Sequence, residues 1–479
     1  MIDKYEKFKQ LIQSAAFEFL KIKKTSTVRI ISHLDSDGIS ACSILIKALS
    51  RDNRKYSITI VQQLDENAIM QFAKEPYEIF FFTDLGSGAI SSIREHLTAK
   101  KVFILDHHEL ESNEQVKNVT HVNPHLIGID GSQEISGAGV VFFFAYAMNK
   151  ANADMAHIAI VGAIGDVQEH NGFSKLNNEI LEIAKENKTI KVIQGLRVFG
   201  AQTRPLHKLL EYSSENPIPG VTGSESGSIQ FLHQIGINPK NGNEWRRLVD
   251  LSEEELKILI TEVVMARLGE KNPEAVIGPV YILCGEETSS PTKDAKEFST
   301  LLNACGRLNK ASLGIGTCLN DSKIKQKAIA LMQTYKKEIA NALKWYDDFK
   351  DSEFVLRGKN YLIIDSKDNI LPTMIGTIAS ILAKGKELPN DIFILSMSRL
   401  NDGSTKISLR ISGNNEEHDL LSMMNELVLC VDGQSGGHRY AAGAVIRTEA
   451  EEQFVDNAKK VFDRFYEDKN IKAKARQYK

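Results

Sequence analysis

The sequence has 479 residues, of which 42% are hydrophobic and 25% are charged, and its 59 basic and 62 acidic residues give a formal charge of −3. This composition excludes a disordered, fibrous or disulfide-stapled chain and a strongly basic nucleic-acid binder, so any contact with nucleic acid must come from a local patch. The length allows two or three domains. The five cysteines are scattered without a CxxC pair, which excludes a zinc ribbon and indicates a reducing, cytoplasmic compartment.

The first region, residues 1–190, alternates predicted strands and helices. An amphipathic helix opens it, and its charges exclude a signal peptide. Two later helices begin at Ser136 and near Met155. Continuous apolar strands separated by helices predict an α/β domain with a parallel sheet flanked by helices. The predicted strands are residues 28–32, 56–61, 78–83 and 101–105, and the helices between them are residues 39–49, 66–74 and 89–97.

The pattern changes in the rest of the chain. We predict a mostly helical insertion with a connecting helix over residues 191–348 and an α/β domain over residues 349–479. In the insertion, Ser252 and Glu255 form a capping box that opens a helix over residues 251–268. No apolar run is long enough to cross a bilayer of about 30 Å, so no membrane segment is expected. Strands of the last region are predicted at residues 361–365, 391–398 and 405–412.

Polar clusters follow directly after four apolar segments of the first region. In an open parallel sheet, ligands bind at the carboxyl ends of the strands, so clusters on neighbouring strands converge on one edge. Unpaired carboxylates at close range repel each other, and divalent cations relieve that repulsion. The combination of histidine and aspartate side chains in these clusters favours manganese, with zinc, iron and magnesium as alternatives. The number of ligands fits two ions bridged by Asp84. For any one aspartate, a helix cap is the competing interpretation. The clusters are His33, Asp35 and Asp37; Asp84; Asp106, His107 and His108; and Asp166.

A second group of polar residues lies in the last region. Gly436 and Gly437 precede His438 in the segment GGHRYAAG, and paired glycines let backbone N–H groups approach an anion closely, as in a phosphate-binding loop. Ser408 and Arg410 alternate along a predicted strand, so both lie on one face and can reach a single phosphate. A tight turn into a strand and an ordinary half-exposed strand are the competing interpretations.

These residues resemble a known family. The segments HLDSDG, TDLG, DHH and GAIGD are similar to the four motifs of the DHH phosphoesterase superfamily, and GGHRYAAG with SLR is similar to its companion DHHA1 domain. The segment EFSTLLNACGRL is similar to the asparagine–glycine–arginine motif of RecJ-type nucleases. Within the superfamily, the chain resembles the archaeal RecJ-like nucleases, relatives of the bacterial RecJ exonuclease.

The resemblance implies a hydrolase that cuts phosphodiester bonds with two manganese ions, magnesium being the alternative. Asp106 would orient the histidine pair. Bacterial RecJ-type enzymes usually carry aspartate where His33 stands, but imidazole is also a competent metal ligand. One ion would be held by His33, Asp35 and Asp84, and the other by Asp37, Asp84, His107 and Asp166. The implied contacts to substrate phosphates are His108, His438, Asn303, Arg307, Ser408, Arg410, Gly436 and Gly437.

Three functions remain open on the sequence alone. The resemblance and the middle insertion favour a single-strand exonuclease on DNA, with RNA as an alternative, in replication or repair. A nano-RNase, pAp phosphatase or cyclic-dinucleotide phosphodiesterase shares the motifs but is typically shorter. An inactive eukaryotic relative of the family sits in the replisome between GINS and the helicase, and the resemblance implies that archaeal members bind GINS. Every ligand position is filled here, which argues against a purely structural role.

Overall fold

The structure is a computed structural model that describes residues 3–114, 116–169, 172–385, 387–413, 418–431 and 433–477, with the side chains of His438 and of residues 467–477 left out. The chain divides into two compact units, Met1–Met332 and Gln333–Lys479. Within the described ranges, no helix has both the length and the apolar character needed to cross a membrane.

The first part of the first unit alternates strands and helices in the predicted order. A strand at Val119–Val122 was not predicted, because its short sequence VTHV contains two polar residues and forms no apolar run. The elements are α1 (Lys4–Leu20), β1 (Val28–His33), α2 (Ser36–Arg51), β2 (Tyr56–Val61), α3 (Glu66–Ala73), β3 (Ile79–Thr83), α4 (Ile90–His96), β4 (Lys101–Leu105), β5 (Val119–Val122), α5 (Gly137–Met148), α6 (Ala156–Gly165) and α7 (Lys175–Glu186).

These strands form a five-stranded sheet in the order β2-β1-β3-β4-β5, with every neighbouring pair parallel. Strand β3 is buried along its whole length, and its phenylalanines alternate between the two faces. Phe81 stacks on Phe103 at a centroid distance of 4.7 Å beside α1 and α5, while Phe80 and Phe82 belong to the core of the opposite face. The predicted parallel sheet flanked by helices is confirmed, and its carboxyl edge is the place where polar groups gather.

The middle of the chain is mostly helical, as predicted, and the capping box at Ser252 and Glu255 is present. It also contains short antiparallel pairs that the sequence analysis missed, since β6 pairs with β9 and β7 pairs with β8. The elements are β6 (Ile190–Leu196), α8 (Leu206–Glu211), α9 (Glu225–Gln234), β7 (Lys240–Asn241), β8 (Glu244–Trp245), α10 (Glu253–Ala266), β9 (Ile277–Leu283), α11 (Ala295–Arg307), α12 (Ala311–Cys318) and α13 (Ser322–Phe349).

The second unit contains a six-stranded sheet in the order β10-β11-β12-β13-β15-β14. Strands β11 and β12 are parallel, and the other neighbouring pairs are antiparallel. The elements are β10 (Val355–Arg357), β11 (Tyr361–Asp365), α14 (Ile375–Lys384), β12 (Phe393–Arg399), β13 (Ser404–Ile411), α15 (Leu420–Val428), β14 (Gln434–His438), β15 (Ala441–Arg447) and α16 (Glu451–Gln477).

Candidate active site

The polar clusters of the first region meet at the carboxyl edge of the parallel sheet. His33 ends β1, Asp84 follows β3, and the cluster beginning at Asp106 follows β4, which is paired with β3. Asp37 lies in the first turn of α2, and Asp166 caps the carboxyl end of α6. Residues from four separate segments thus converge on one place, and three of these segments meet there because parallel pairing aligns the strand ends.

Asp84 lies between two groups of potential metal ligands. On one side, its Oδ2 atom lies 3.6 Å from Nδ1 of His33, which is itself 2.9 Å from Oδ2 of Asp35. On the other side, its Oδ1 atom lies 3.3 Å from Nε2 of His107. That His107 nitrogen is also 3.2 Å from Oδ2 of Asp166 and 3.8 Å from Oδ2 of Asp37. The two groups therefore share a single carboxylate, with one oxygen directed to each.

The carboxylates of this cluster are buried, and several of their oxygens accept no hydrogen bond from the part of the chain that the structure describes. Asp37 and Asp84 are at most 1% exposed. Four buried oxygens, Oδ2 of Asp37, both oxygens of Asp84 and Oδ2 of Asp166, accept no hydrogen bond from the described residues. Burial and the charges of Asp166 and Asp84 raise the pKa of Asp37 well above its ordinary value, and burial raises the pKa of Asp166 to about 7.

This donor set fits divalent cations. A buried carboxylate that retains a proton near neutral pH exchanges that proton for a metal ion when one is available. Aspartate oxygens combined with imidazole nitrogens are the ligands that manganese and similar ions accept. The His33, Asp35 and Asp84 group would hold one ion, and the Asp37, Asp84, His107 and Asp166 group would hold a second.

Asp106 and the backbone fix the orientation of the two adjacent histidines. Nδ1 of His107 donates to the carbonyl oxygen of Gly131 at 2.7 Å, which directs Nε2 toward the carboxylates. Oδ1 of Asp106 lies 2.7 Å from Nδ1 of His108 and also accepts from the backbone N–H of His107 at 2.8 Å. Burial lowers the pKa of His108, but the Asp106 carboxylate outweighs it and raises this pKa above its ordinary value.

The backbone at Asp84 adopts a conformation that few residues tolerate. Its φ is +59°, in the left-handed region, where aspartate and asparagine are the least disfavoured of the side chains with a Cβ atom. The residue is nevertheless 1% exposed and joined to β4 through a hydrogen bond from its N–H to Leu105. Strain held in place by surrounding structure is a common property of functional sites.

Helix α11 holds the loop that carries Asp35 and Asp37. Oδ1 of Asn303 accepts a hydrogen bond from the backbone N–H of Ser36 at 3.1 Å. Gly306 lets the helix approach this loop, because a Cβ atom at this position would lie 1.6 Å from the carbonyl oxygen of Leu34. Asn303 and Gly306 therefore position the ligand loop, a role that the sequence did not indicate for either residue. Arg307 ends the same helix.

Glu297 anchors the other end of α11. It is 3% exposed, and its carboxylate accepts hydrogen bonds from the N–H of Gln202 at 2.8 Å and from the hydroxyl of Thr203 at 2.5 Å. Burial raises the pKa of Glu297 to about 7. Since the folded protein holds this proton more tightly than the unfolded chain, the contribution of Glu297 to stability is complete below about pH 4.5 and is lost as the pH rises through about 7.

We therefore expect Glu297→Gln to flatten the pH dependence of stability. Between pH 4.5 and 7.5, the free energy of unfolding of the parent protein should fall by roughly 1–3 kcal/mol relative to the variant. Urea unfolding at several pH values measures the difference. The exposed Glu254→Gln is the matched control, and it should leave the parent pH dependence unchanged. Parallel curves for the parent protein and Glu297→Gln would contradict the assignment.

The predicted residues of the last region lie together on the sheet of the second unit. The glycine pair does not form the phosphate-binding loop that we considered, because Gly436 and Gly437 belong to β14 and pair with Gly443 and Ala442 of β15. The competing interpretation, a turn joined to a strand, is nearer to the structure. The backbone of His438 ends β14, and its side chain lies outside the part of the chain that the structure describes.

Ser408 and Arg410 share one face of β13, as predicted, and this face lies against α14. A Cβ atom at Gly376 would lie 2.9 Å from Oγ of Ser408 and 3.3 Å from a guanidinium nitrogen of Arg410, so the helix packs closely over the pair. Lys406 lies on the same face and was missed by the sequence analysis. Burial and the charge of Arg410 lower the pKa of Lys406 to about 8.

The two glycines of β14 should respond differently to substitution. Gly437 has a φ of +123°, and a Cβ atom there would lie 2.4 Å from the carbonyl oxygen of Ala441. Among the described atoms beyond its two chain neighbours, none lies within 4 Å of a Cβ atom at Gly436. We expect Gly437→Ala to destabilise the second unit by roughly 1–3 kcal/mol and Gly436→Ala to have little effect on stability. Calorimetry on the full chain compares them, and equal unfolding temperatures would contradict the strand geometry.

Three family models match successive parts of the chain. The DHH family N-terminal domain matches residues 27–164, the DHH-CID domain matches residues 198–279, and the DHHA1 domain matches residues 358–467. An uncharacterised protein of Methanocaldococcus jannaschii is 30% identical over 436 residues, which cover 89% of this chain and 91% of that protein. The chain belongs to the DHH family of phosphoesterases. The ligands of this DHH protein from His33 to His107, with the shared Asp84, lie within the residues that the DHH model matches, and Asp166 lies two residues beyond them.

Solved structures place the DHH protein in the RecJ-like fold. RecJ of Thermus thermophilus in complex with Mn²⁺ has a TM-score of 0.58 at 15% identity, covering 95% of this chain. This chain spans 55% of the length of that RecJ. An exonuclease RecJ bound to manganese has a TM-score of 0.54 at 15% identity, covering 95% and 93% of the two chains. CDC45 of Entamoeba histolytica has a TM-score of 0.61 at 13% identity, covering 96% and 98%. Because these sequence identities are low, the similarity to the three solved structures shows a shared fold.

Proposed function

We propose that this DHH protein is a manganese-dependent phosphodiesterase that degrades single-stranded nucleic acid from an end, acting on DNA, with RNA as the alternative, in replication or repair. The observation that carries the proposal is Asp84, whose two oxygens are directed to two separate ligand groups. Divalent ions held there would supply an activated water for attack on phosphorus. The manganese in both RecJ structures supports the choice of ion, with magnesium as the alternative.

The protein's own groups would hold the substrate and stabilise developing charge. His108, whose Nδ1 atom is held by Asp106, is suited to donate a hydrogen bond to a phosphoryl oxygen when its ring is protonated. On the second unit, Ser408 and Arg410 carry a hydroxyl and a guanidinium on the face of β13 that lies against α14, and Arg307 carries a second guanidinium at the end of α11. We assign the binding of substrate phosphates to these groups, together with Asn303, His438 and the backbone of Gly436 and Gly437.

Two other functions compete with this proposal. A small-substrate phosphodiesterase would use the same metal ligands, and the DHH-CID region at residues 198–279 is the feature that favours a longer substrate. A scaffold that binds GINS and the replicative helicase draws support from the fold likeness to CDC45. A scaffold has no need of buried carboxylates that lack hydrogen-bond donors, so the cluster favours catalysis.

Digestion of end-labelled oligonucleotides separates these functions. The purified full chain is incubated with single-stranded DNA and a matched RNA in manganese, each labelled at the 5′ or the 3′ end, beside dinucleotides and pAp. We expect shortening of the single strands, and the label that is released first gives the polarity. A duplex of the same sequence is the control for strand specificity.

The other outcomes have distinct meanings. Hydrolysis of dinucleotides or pAp with intact oligonucleotides would replace the exonuclease by the small-substrate function. Absence of any manganese-dependent hydrolysis would overturn the enzymatic proposal, and binding of GINS by the purified chain would then support the scaffold.

A further inference from the structure

A cavity of about 320 Å³ lies in the first unit at the end of α6 opposite to Asp166. Helix α6 has ten residues, so its two ends are separated by about 15 Å and the cavity is distinct from the metal ligands. A cavity of this size is at the lower end of those that bind small molecules. Its polar lining includes Lys47, Asp154, His157, Lys188, Glu286 and Asn320.

The charged groups of this cavity leave a net positive charge. Asp154 is paired with Arg51 through bonds of 2.5 and 2.8 Å, and both oxygens of Glu286 bind Lys325 at 2.7 and 2.8 Å. Both acids are thereby neutralised by bases that do not line the cavity. The two lysines of the lining, in contrast, have no carboxylate within 4 Å among the described residues, so two positive charges remain uncompensated.

His157 lies in the first turn of α6 and lines the same cavity. Nδ1 of His157 is buried and has no hydrogen-bond partner in the described part of the chain. A ligand that accepts hydrogen bonds would satisfy this nitrogen.

The remainder of the lining is apolar. Met155, Ile158, Leu283, Phe298 and Leu319 contribute to it, and Phe298 is a buried aromatic side chain of α11. A simple inorganic anion would leave this surface unused, whereas a ligand with a flat apolar portion would cover it.

We propose that this cavity binds a nucleoside monophosphate, with the phosphate near Lys47, Lys188 and His157 and the base against the apolar wall. The combination of two lysines without a carboxylate partner in the described ranges, the buried Nδ1 atom of His157 and an apolar surface carries the inference. The proposed site requires neither the metal ions nor nuclease activity, so it can be tested apart from the proposed function.

The test is calorimetric titration of AMP into the full chain in EDTA. The double variant Lys47→Gln/Lys188→Gln removes both charges at exposed or half-buried positions, and Lys55→Gln/Lys117→Gln makes the same change at exposed lysines outside the cavity. We expect saturable binding of AMP that weakens at least tenfold in the first variant and is unchanged in the second. Inorganic phosphate should bind at least tenfold more weakly than AMP. Thermal unfolding of both variants confirms that each is folded.

Several outcomes would overturn the proposal. These are the absence of saturable binding by AMP, GMP, CMP and UMP, equal weakening in both double variants, and inorganic phosphate binding as tightly as AMP. Survival of all AMP binding in Lys47→Gln/Lys188→Gln would assign the nucleotide to another site and reject this one.

Discussion

Replacing Asp84 with asparagine is expected to remove most of the stability that manganese confers. Asn tolerates the left-handed backbone at this position, so the substitution changes the charge with little added strain. At a manganese concentration about a hundred times the dissociation constant, binding stabilises the parent protein by about 2.7 kcal/mol. Because both ligand groups depend on Asp84, we expect most of this gain to disappear in Asp84→Asn. Thermal unfolding with manganese and with EDTA measures it.

Asp65→Asn is the matched control for this experiment. Asp65 also follows a strand of the same sheet and caps α3, but it lies outside the ligand groups. Asparagine is an equally good N-cap, so the control should keep the full response to manganese. An equal manganese response in the parent protein and Asp84→Asn would contradict the shared role of this carboxylate.

Replacing Gly306 with alanine should have the second large effect. The new Cβ atom would meet the carbonyl oxygen of Leu34, a backbone atom that cannot rotate away. Either α11 or the loop that carries Asp35 and Asp37 must shift, so we expect a loss of about 3 kcal/mol or more of stability. A displacement of about 1 Å at catalytic groups commonly reduces rates a hundredfold, so hydrolysis by the folded variant should fall by about that factor.

Gly314→Ala is the matched control on the neighbouring helix α12. Its Cβ atom would lie 3.1 Å or more from side-chain carbons of Ile39, Leu302 and Cys305, which are able to adjust. We expect this variant to lose less than about 1 kcal/mol and to keep its activity. Chemical unfolding and initial rates are measured on both variants. Similar losses in both would show that the close approach of α11 to the ligand loop has no special importance.

Much of this fold could be predicted because its strands have strong local patterns. Apolar runs bounded by helices predicted β2 and β4 to the residue, and parallel pairing then predicted that the clusters at Asp84 and Asp106 would lie on one edge. The short strand β5 had no such pattern. Its pairing with β4 is a property of the assembled sheet, which a local apolar run does not reveal.

The supporting contacts of the site could not be predicted, because they join distant parts of the chain. Asn303 contacts Ser36 across more than 260 residues, and no spacing in the sequence indicates that hydrogen bond. Gly162 illustrates the same limit. A Cβ atom at this position would lie 2.4 Å from Oδ1 of Asp37, so the glycine makes room for that carboxylate. In the sequence, this glycine was recognisable only as part of the GAIGD motif, and nothing indicated its contact with Asp37.

The glycine pair of the second unit shows how one pattern permits two structures. A Gly-Gly pair is compatible with a loop around an anion and with a tightly paired edge strand. Which one forms depends on Ala442 and Gly443, whose small size lets β15 pair with β14 along the whole segment. The sequence contained the residues of both strands of this hairpin, β14 and β15. The position of β15 is set by its pairing with β13, which the local sequence does not reveal.

The measurement that tests the account most directly is the rate of phosphodiester cleavage in single-stranded DNA as a function of manganese concentration, for the parent protein and Asp84→Asn. We predict cleavage by the parent protein that is abolished by EDTA and rises with more than first-order dependence on manganese, as two ions require. Asp84→Asn should be slower by a factor of about 10² to 10³ or more at every concentration. Equal rates in the two proteins, or cleavage that persists in EDTA, would contradict a metal-dependent site built around Asp84.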